Sequence, residues 1–208
     1  MNSLEEIYRQ RHTQFLVPAA KKLEVHLKDC LSACHRIDRI CTRSKSIPRF
    51  MQKALKQENG KPKYVDPLNQ ILDQIGARVV TFYPSDVENV AQEINRYFHP
   101  IENKTLVPDG ESEFGYVGQH FILLLPSDVL AELQKDDDVP NLFELQIKTL
   151  FQHAWAEAEH DLGYKTSNSL TSLQKRKIAF TAAQAWGADQ IFDELYRELE
   201  GVHTVNGQ

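Results

Sequence analysis

The chain has 208 residues, enough for one well-buried domain with helical extensions, and 41% hydrophobic with 25% charged content is ordinary for a soluble globular protein. A formal net charge of −5 argues against a surface that coats nucleic acid along its length, although a local basic cleft fits inside an acidic total. Three cysteines, Cys30, Cys34 and Cys41, are odd in number and lack a CxxC spacing, so buried free thiols in a reducing cytoplasm are expected rather than a disulfide framework. The start, MNSLEEIYRQRH, is charged and has no apolar core, so no signal peptide is expected, and no apolar run approaches the length of a membrane span.

Residues 3–33 read as helical, with Leu4, Ile7, Tyr8, Phe15, Leu16, Leu23, Leu27 and Leu31 at helical spacing and Pro18 as a break or kink. Ile37 and Ile40 among Arg36, Asp38 and Arg39 predict a first strand over His35–Thr42. Ser46 is a candidate N-cap for a short helix with Phe50, Met51, Ala54 and Leu55 on its apolar side. GKPKYVDP reads as a loop, Pro67 leads into a helix over LNQILDQ, and Gly76 ends it before a strand over Ala77–Tyr83. A helix over Val87–Phe98 follows the cap Pro84-Ser85-Asp86, and His99–Phe114, with two prolines and several acids, reads as a loop. Then come a strand over Tyr116–Leu125, a helix over Ser127–Gln134, the acidic loop KDDDVP and a strand over Leu142–Thr149. The rest to about Glu200 is mostly helix, broken around Gly163–Ser169 and weakened by Gly187. This alternation predicts an α/β or α+β sheet with helical cover.

Asp73 and Glu144 stand out because each is a carboxylate in an apolar, strand-like setting, where it is costly unless paired or bound to metal. Arg43-Ser44-Lys45-Ser46 and Lys53 surround a strand-to-helix junction, where free N–H groups and the helix dipole favour phosphate; a solvated basic edge explains the same pattern. The glycines of a P-loop are absent. Asp73 and Arg78 supply the pairing that phosphoryl transfer uses, a carboxylate for Mg²⁺ and a guanidinium for the transferring charge, or else a local surface salt bridge. Gly115-Tyr116 with His120 offers a ring for a base to stack on, or a core tyrosine and histidine. Strand alternation puts Glu144, Gln146 and Lys148 on one face, as a ligand floor or an exposed edge. His153, Glu157 and His160 share a helix face, but a dedicated transition-metal site there is not expected.

In order, these segments resemble the RelA/SpoT-homologue synthetase domain, the catalytic unit of (p)ppGpp synthetases. The residues that carry the resemblance are Arg43, Lys45, Ser46, Lys53, Asp73, Arg78, Gly115, Tyr116, His120, Glu144, Gln146, Lys148, Thr149, Trp155, Ala156, Glu159, His160, Tyr164 and Lys165. The resemblance implies a mixed sheet of about five strands flanked by helices, related to nucleotidyltransferases. A synthetase core over 35–165 would carry an N-terminal helical extension, 1–34, and a C-terminal one, 166–208. It also implies transfer of the β,γ-pyrophosphate of ATP to the 3′-hydroxyl of GDP or GTP. By position, Arg43, Lys45, Ser46, Lys53 and Arg78 would hold ATP, and Asp73 and Glu144 would hold Mg²⁺, with Glu144 also the base. Tyr116 would stack on guanine, His153 and Ala156 would border its edge, and Lys148 would meet the acceptor phosphates, with His120 and Gln146 on the same side.

Arg49 and Gly118 depart from the resemblance: each stands where a serine is usual, which adds a cation near the donor and removes a hydroxyl near the acceptor. No hydrolase or regulatory domain is expected beside the core, which looks like that of the stand-alone small synthetases. Toxic members of this group that act on tRNA 3′ ends or adenine nucleotides are the alternative, with a neutralising antitoxin as partner and a homo-oligomer also open. The net charge leans against tRNA, while Arg9/Arg11, Lys21/Lys22 and Lys175/Arg176/Lys177 keep it open.

Overall fold

Apolar residues alternating along the strands build one buried sheet face, and the polar residues between them build the other. A computed structural model of the chain describes residues 3–108, 110, 113–115, 117–131, 133, 139, 141–165 and 170–205, with backbone only at 163–165 and 202–205. Helix α1 (Leu4–Arg11) opens on a capping box in which the Ser3 hydroxyl accepts from the Glu6 N–H and the Glu6 carboxylate accepts from the Ser3 N–H. A π-helical stretch, His12–Leu16, joins it to α2 (Val17–Cys30). Pro18 neither breaks nor ends the helix, because it falls in the first turn of α2, where the wide turn before it relaxes the pairing a proline cannot make.

Strand β1 (Ile37–Ser44) runs two residues beyond its expected end and so takes in Arg43. After α3 (Ile47–Ala54), the expected loop contains a small hairpin, β2 (Gln57–Glu58) and β3 (Lys61–Pro62). Asn59 and Gly60 form its turn at φ 51° and 74°, the left-handed pair that an Asn-Gly hairpin needs. Helix α4 (Pro67–Gln70) stops well short of Gly76, which lies within β4 (Ile75–Thr81) and terminates nothing. Asp73 therefore occupies the turn between them, not a helix face. Helix α5 (Pro84–Tyr97) starts three residues earlier than expected, with Tyr83 as its cap and Pro84-Ser85-Asp86 as its first turn, and the presumed loop after it contains an edge strand, β5 (Glu102–Leu106). Strand β6 (Gly118–Leu124) is followed by a single turn, α6 (Ser127–Leu130), instead of a helix to Gln134. Strand β7 (Leu142–Thr149) has its expected bounds. Helix α7 (Leu150–Lys165) precedes α8 (Ser172–Val205), which runs through Gly187; the expected break falls largely outside the described residues.

The result is an α+β fold built on a mixed five-stranded sheet, ordered β1-β4-β7-β6-β5, in which only β4 and β7 are parallel. Ile75, Ala77, Val79, Phe121, Leu123, Phe143, Leu145 and Ile147 point to the covered face and pack with Leu23 and Leu27 of α2 and Val90 and Ile94 of α5. Removing these side chains from water supplies the main drive for the fold. Helix α8 packs on α5 and α7. Thr149 donates to Asp189 at 2.7 Å, and the Ser85 hydroxyl donates to Asp193 at 2.5 Å. The three cysteines are free, but Cys30 and Cys34 are only half-buried and Cys41 is exposed, so the expected burial fails; α2 ends at Cys30 and leaves Cys34 beyond it. No helix among the described residues is long and apolar enough to cross a membrane.

Candidate active site

Register decides which polar side chains meet. Arg43 lies opposite Gly76, Gly76 opposite Glu144, Arg78 opposite Gln146, and Gln146 opposite His120. Because strand side chains alternate between faces, Arg43, Arg78, Glu144, Gln146, Lys148 and His120 all project from the face that the core does not use. Gly76, between Arg43 and Glu144, puts no side chain in this row and so leaves the sheet open where the two meet.

The turn before β4 brings Asp73 to one end of that face. Lys45, just past β1, donates to its Oδ2 at 2.8 Å, and Lys53, two turns along α3, donates to its Oδ1 at 3.0 Å. Burial pushes the Asp73 carboxyl up, but the hydrogen bonds and charges of the two lysines outweigh it and hold the group below its ordinary range. Glu144 stands in the same balance. Burial and the nearby charge of Asp73 raise its carboxyl, but the bond from His120 Nδ1 at 3.1 Å and the interaction with that ring outweigh them and hold it below its ordinary range. Both carboxylates are therefore ionised at neutral pH and close enough to repel, which is the setting a divalent cation relieves. Two carboxylates are hard oxygen donors suited to Mg²⁺, and no group of three or more metal-binding side chains occurs among the described residues. A magnesium ion held here would complete its shell with water and phosphate oxygens, as that ion commonly does.

Two clefts adjoin across the pair. The smaller, about 600 Å³, is lined by Arg43, Ser44, Lys45, Ser46, Arg49, Asp73, Gly76 and Glu144. The larger, about 940 Å³, is lined on the sheet by Arg78, His120, Glu144, Gln146 and Lys148, and on α7 by Ala156, Glu157, Glu159 and His160. Arg43, Arg49, Asp73 and Glu144 belong to both. Ser46 caps α3 without a side-chain bond to the helix, so its hydroxyl is left for the cleft. Arg78 bridges to α7, donating to Glu157 at 2.7 Å and to His153 Nδ1 at 3.3 Å. His153 thus sits behind Arg78. Lys148 is 3% exposed, and burial together with the Arg78 charge lowers its amine to about 8. Tyr116, expected to stack on a base, lies outside the described residues, as do the side chains of Tyr164 and Lys165.

A family model described as a region found in RelA / SpoT proteins matches residues 42–169. The chain belongs to the RelA/SpoT family. Among relatives, the GTP pyrophosphokinase YjbM of Bacillus subtilis (strain 168) is 25% identical over 201 residues, 90% of this chain and 89% of that protein. Two solved structures share the fold. A GTP pyrophosphokinase family protein from Streptococcus pneumoniae superposes with a TM-score of 0.75 at 20% identity, covering 98% of each chain. The small alarmone synthetase 1 of Bacillus subtilis bound to its product pppGpp does so at 0.73 and 20%, covering 94% of this chain and 99% of that one. The RelA/SpoT region contains both carboxylates and every residue that lines the two clefts. Of the two departures within it, Arg49 lines both compartments, where an extra cation meets both, and Gly118 starts β6. Glu157, by contrast, was missed as the partner of Arg78, because a helix residue's cross-sheet partner has no signature in local spacing.

Proposed function

We propose that this chain transfers the β,γ-pyrophosphate of ATP to the 3′-hydroxyl of GDP or GTP, making ppGpp or pppGpp, as a small alarmone synthetase. The observation that carries the proposal is the meeting of a cleft lined by Arg43, Lys45 and Arg49 with a larger polar one at Asp73 and Glu144. Membership of the family, and a relative named as a GTP pyrophosphokinase, support the same chemistry. Arg43, Lys45, Lys53 and Arg49 face the donor phosphates, and Lys45 and Lys53 exchange Asp73 for phosphate oxygens as the nucleotide enters. Charge-assisted contacts of this kind fix the donor in line with the attacking oxygen.

Magnesium bound by Asp73 and Glu144 would neutralise charge that builds on the transferring group. Glu144, ionised and oriented by His120, takes the proton from the 3′-hydroxyl as its oxygen bonds to the β-phosphorus. The bond from that phosphorus to the α–β bridging oxygen breaks, and AMP leaves. Lys148 and Gln146 meet the acceptor, with Arg78 held between them and α7. In labelled-ATP assays with GDP, GTP, AMP or tRNA offered separately, label is expected on GDP and GTP; label on tRNA or AMP alone would overturn this acceptor assignment.

The Lys148 amine adds a pH dependence. With its value lowered to about 8, it is charged below that pH and neutral above it. Acceptor phosphates bind the charged form, so the KM for GDP is expected to rise as pH climbs through about 8 to 9. In Lys148→Arg the inflection should vanish, because a guanidinium does not titrate there. A KM profile identical in the two proteins would remove Lys148 from the acceptor site. Free thiols fit a reducing cytoplasm as the compartment. A second copy or an antitoxin has in its support the exposed residues Leu173, Phe180, Ile191, Leu195 and Leu199, which helical spacing puts near one face of α8.

A further inference from the structure

Tyr8, Arg11 and His12 recur at i, i+3 and i+4 and so share one face, which the π-helical stretch continues to the buried Phe15. All three reach the donor half of the site. The Tyr8 hydroxyl donates to the Lys45 carbonyl at 2.7 Å while its ring, fully buried, stacks on Phe50 of α3 at 3.6 Å and 4°. Arg11, 9% exposed, donates to the Leu68 carbonyl at 2.7 Å and to Gln74 Oε1 at 3.2 Å. Gln74, 3% exposed, donates in turn to the carbonyls of Leu68 and Ile71 and accepts the Lys45 N–H at its own carbonyl, 2.8 Å away. His12 Nε2 and the Ser44 hydroxyl share a bond of 3.0 Å.

We propose that Tyr8, Arg11 and His12 are positioning residues for the donor nucleotide: from outside the family region, they fix the turn that presents Asp73 against the segment that presents Lys45. The inference rests on ATP being the donor. A helix that served only to cover the core would do so with apolar side chains, since buried polar groups are costly unless every partner is in place. Here the hydrogen bonds to Lys45, Ser44, Leu68 and Gln74 reach two short segments, 44–45 and 68–74, whose relative position sets the Lys45–Asp73 contact. The covalent neighbour of Gln74 is Asp73, and that of Ser44 is Lys45. The charge of Asp73 also reaches Tyr8, whose hydroxyl is pushed up by burial first and by Asp73 second. The family match begins at residue 42, so none of the three belongs to it.

The test uses the full-length protein with Tyr8→Phe, which keeps the stacked ring, Arg11→Met, and Arg11→Lys. For each, binding of a non-hydrolysable ATP analogue with Mg²⁺ is measured by calorimetry, beside kcat, KM for ATP and KM for GDP. Arg11→Met should bind the analogue about tenfold more weakly and lose about 10²-fold in kcat/KM for ATP, with KM for GDP within about twofold. Tyr8→Phe should shift the same way by a smaller factor, and Arg11→Lys, which restores a donor for the Leu68 carbonyl, should recover part of the loss. If Arg11→Met fails to fold, Tyr8→Phe decides. Wild-type analogue affinity in the folded variants would overturn the inference, and so would a fall in kcat that only tracks the unfolded fraction. Should the wild type bind the analogue but make no labelled (p)ppGpp, the functional reading fails, while the affinities still decide the positioning role.

Discussion

Replacing Glu144 with glutamine is expected to abolish transfer, lowering kcat by about 10³-fold or more while the melting temperature stays within a few degrees. Glutamine matches glutamate in size, and its carbonyl oxygen can still accept the His120 N–H that now goes to Glu144 at 3.1 Å. The neighbours on β7, Phe143 and Leu145, are fully buried on the opposite face and do not sense the change. What disappears is charge: glutamine cannot take the proton of the attacking hydroxyl, and it offers a divalent cation a far weaker ligand. It relieves the repulsion with Asp73 but gives up the charge-assisted bond from His120, so the change in stability at neutral pH is expected to be small. Label transfer to GDP, run beside a thermal melt, separates these effects, and retained turnover would remove Glu144 from both roles.

Much of this site was legible in the sequence because strand alternation is a short-range rule. Glu144, Gln146 and Lys148 could be assigned to one face from their spacing alone, and β7 has its expected bounds. Asp73 was legible as a residue but not as a place. Pro67 and the apolar spacing after it argued for a helix, whereas the buried Gln74 amide and Arg11 satisfy the carbonyls of a non-helical turn. That competition is settled by a side chain from α1, distant in sequence, which no window on 67–76 contains. Gly76 misled for a related reason. By sequence it reads as a helix terminator, whereas in the sheet it keeps the face open between Arg43 and Glu144. The edge strand β5 was hidden by polar, charged residues that suit an exposed edge as well as a loop. The Asn-Gly hairpin, in contrast, carries a local signal of its own in Asn59-Gly60.

Asp73→Asn is the second change of large effect, and it separates a metal ligand from an anchor for lysines. With the carboxylate gone, Lys45 and Lys53 lose the counterion that both now contact, at 2.8 and 3.0 Å. Two ammonium groups left facing one cleft attract phosphate more strongly, so the KM for ATP should hold or fall. A ligand lost from the magnesium site should meanwhile lower kcat by roughly 10²-fold or more. Stability carries a matching sign. The folded-state value of Asp73 lies below its ordinary one, so its ionised form stabilises the protein above the unfolded value, and that contribution is lost as pH falls through the folded one. The gap in melting temperature between wild type and Asp73→Asn should therefore be open at neutral pH and close below about pH 4. A raised KM for ATP with kcat preserved would mean that Asp73 serves only to hold the lysines in place, and the metal would then rest on Glu144 alone.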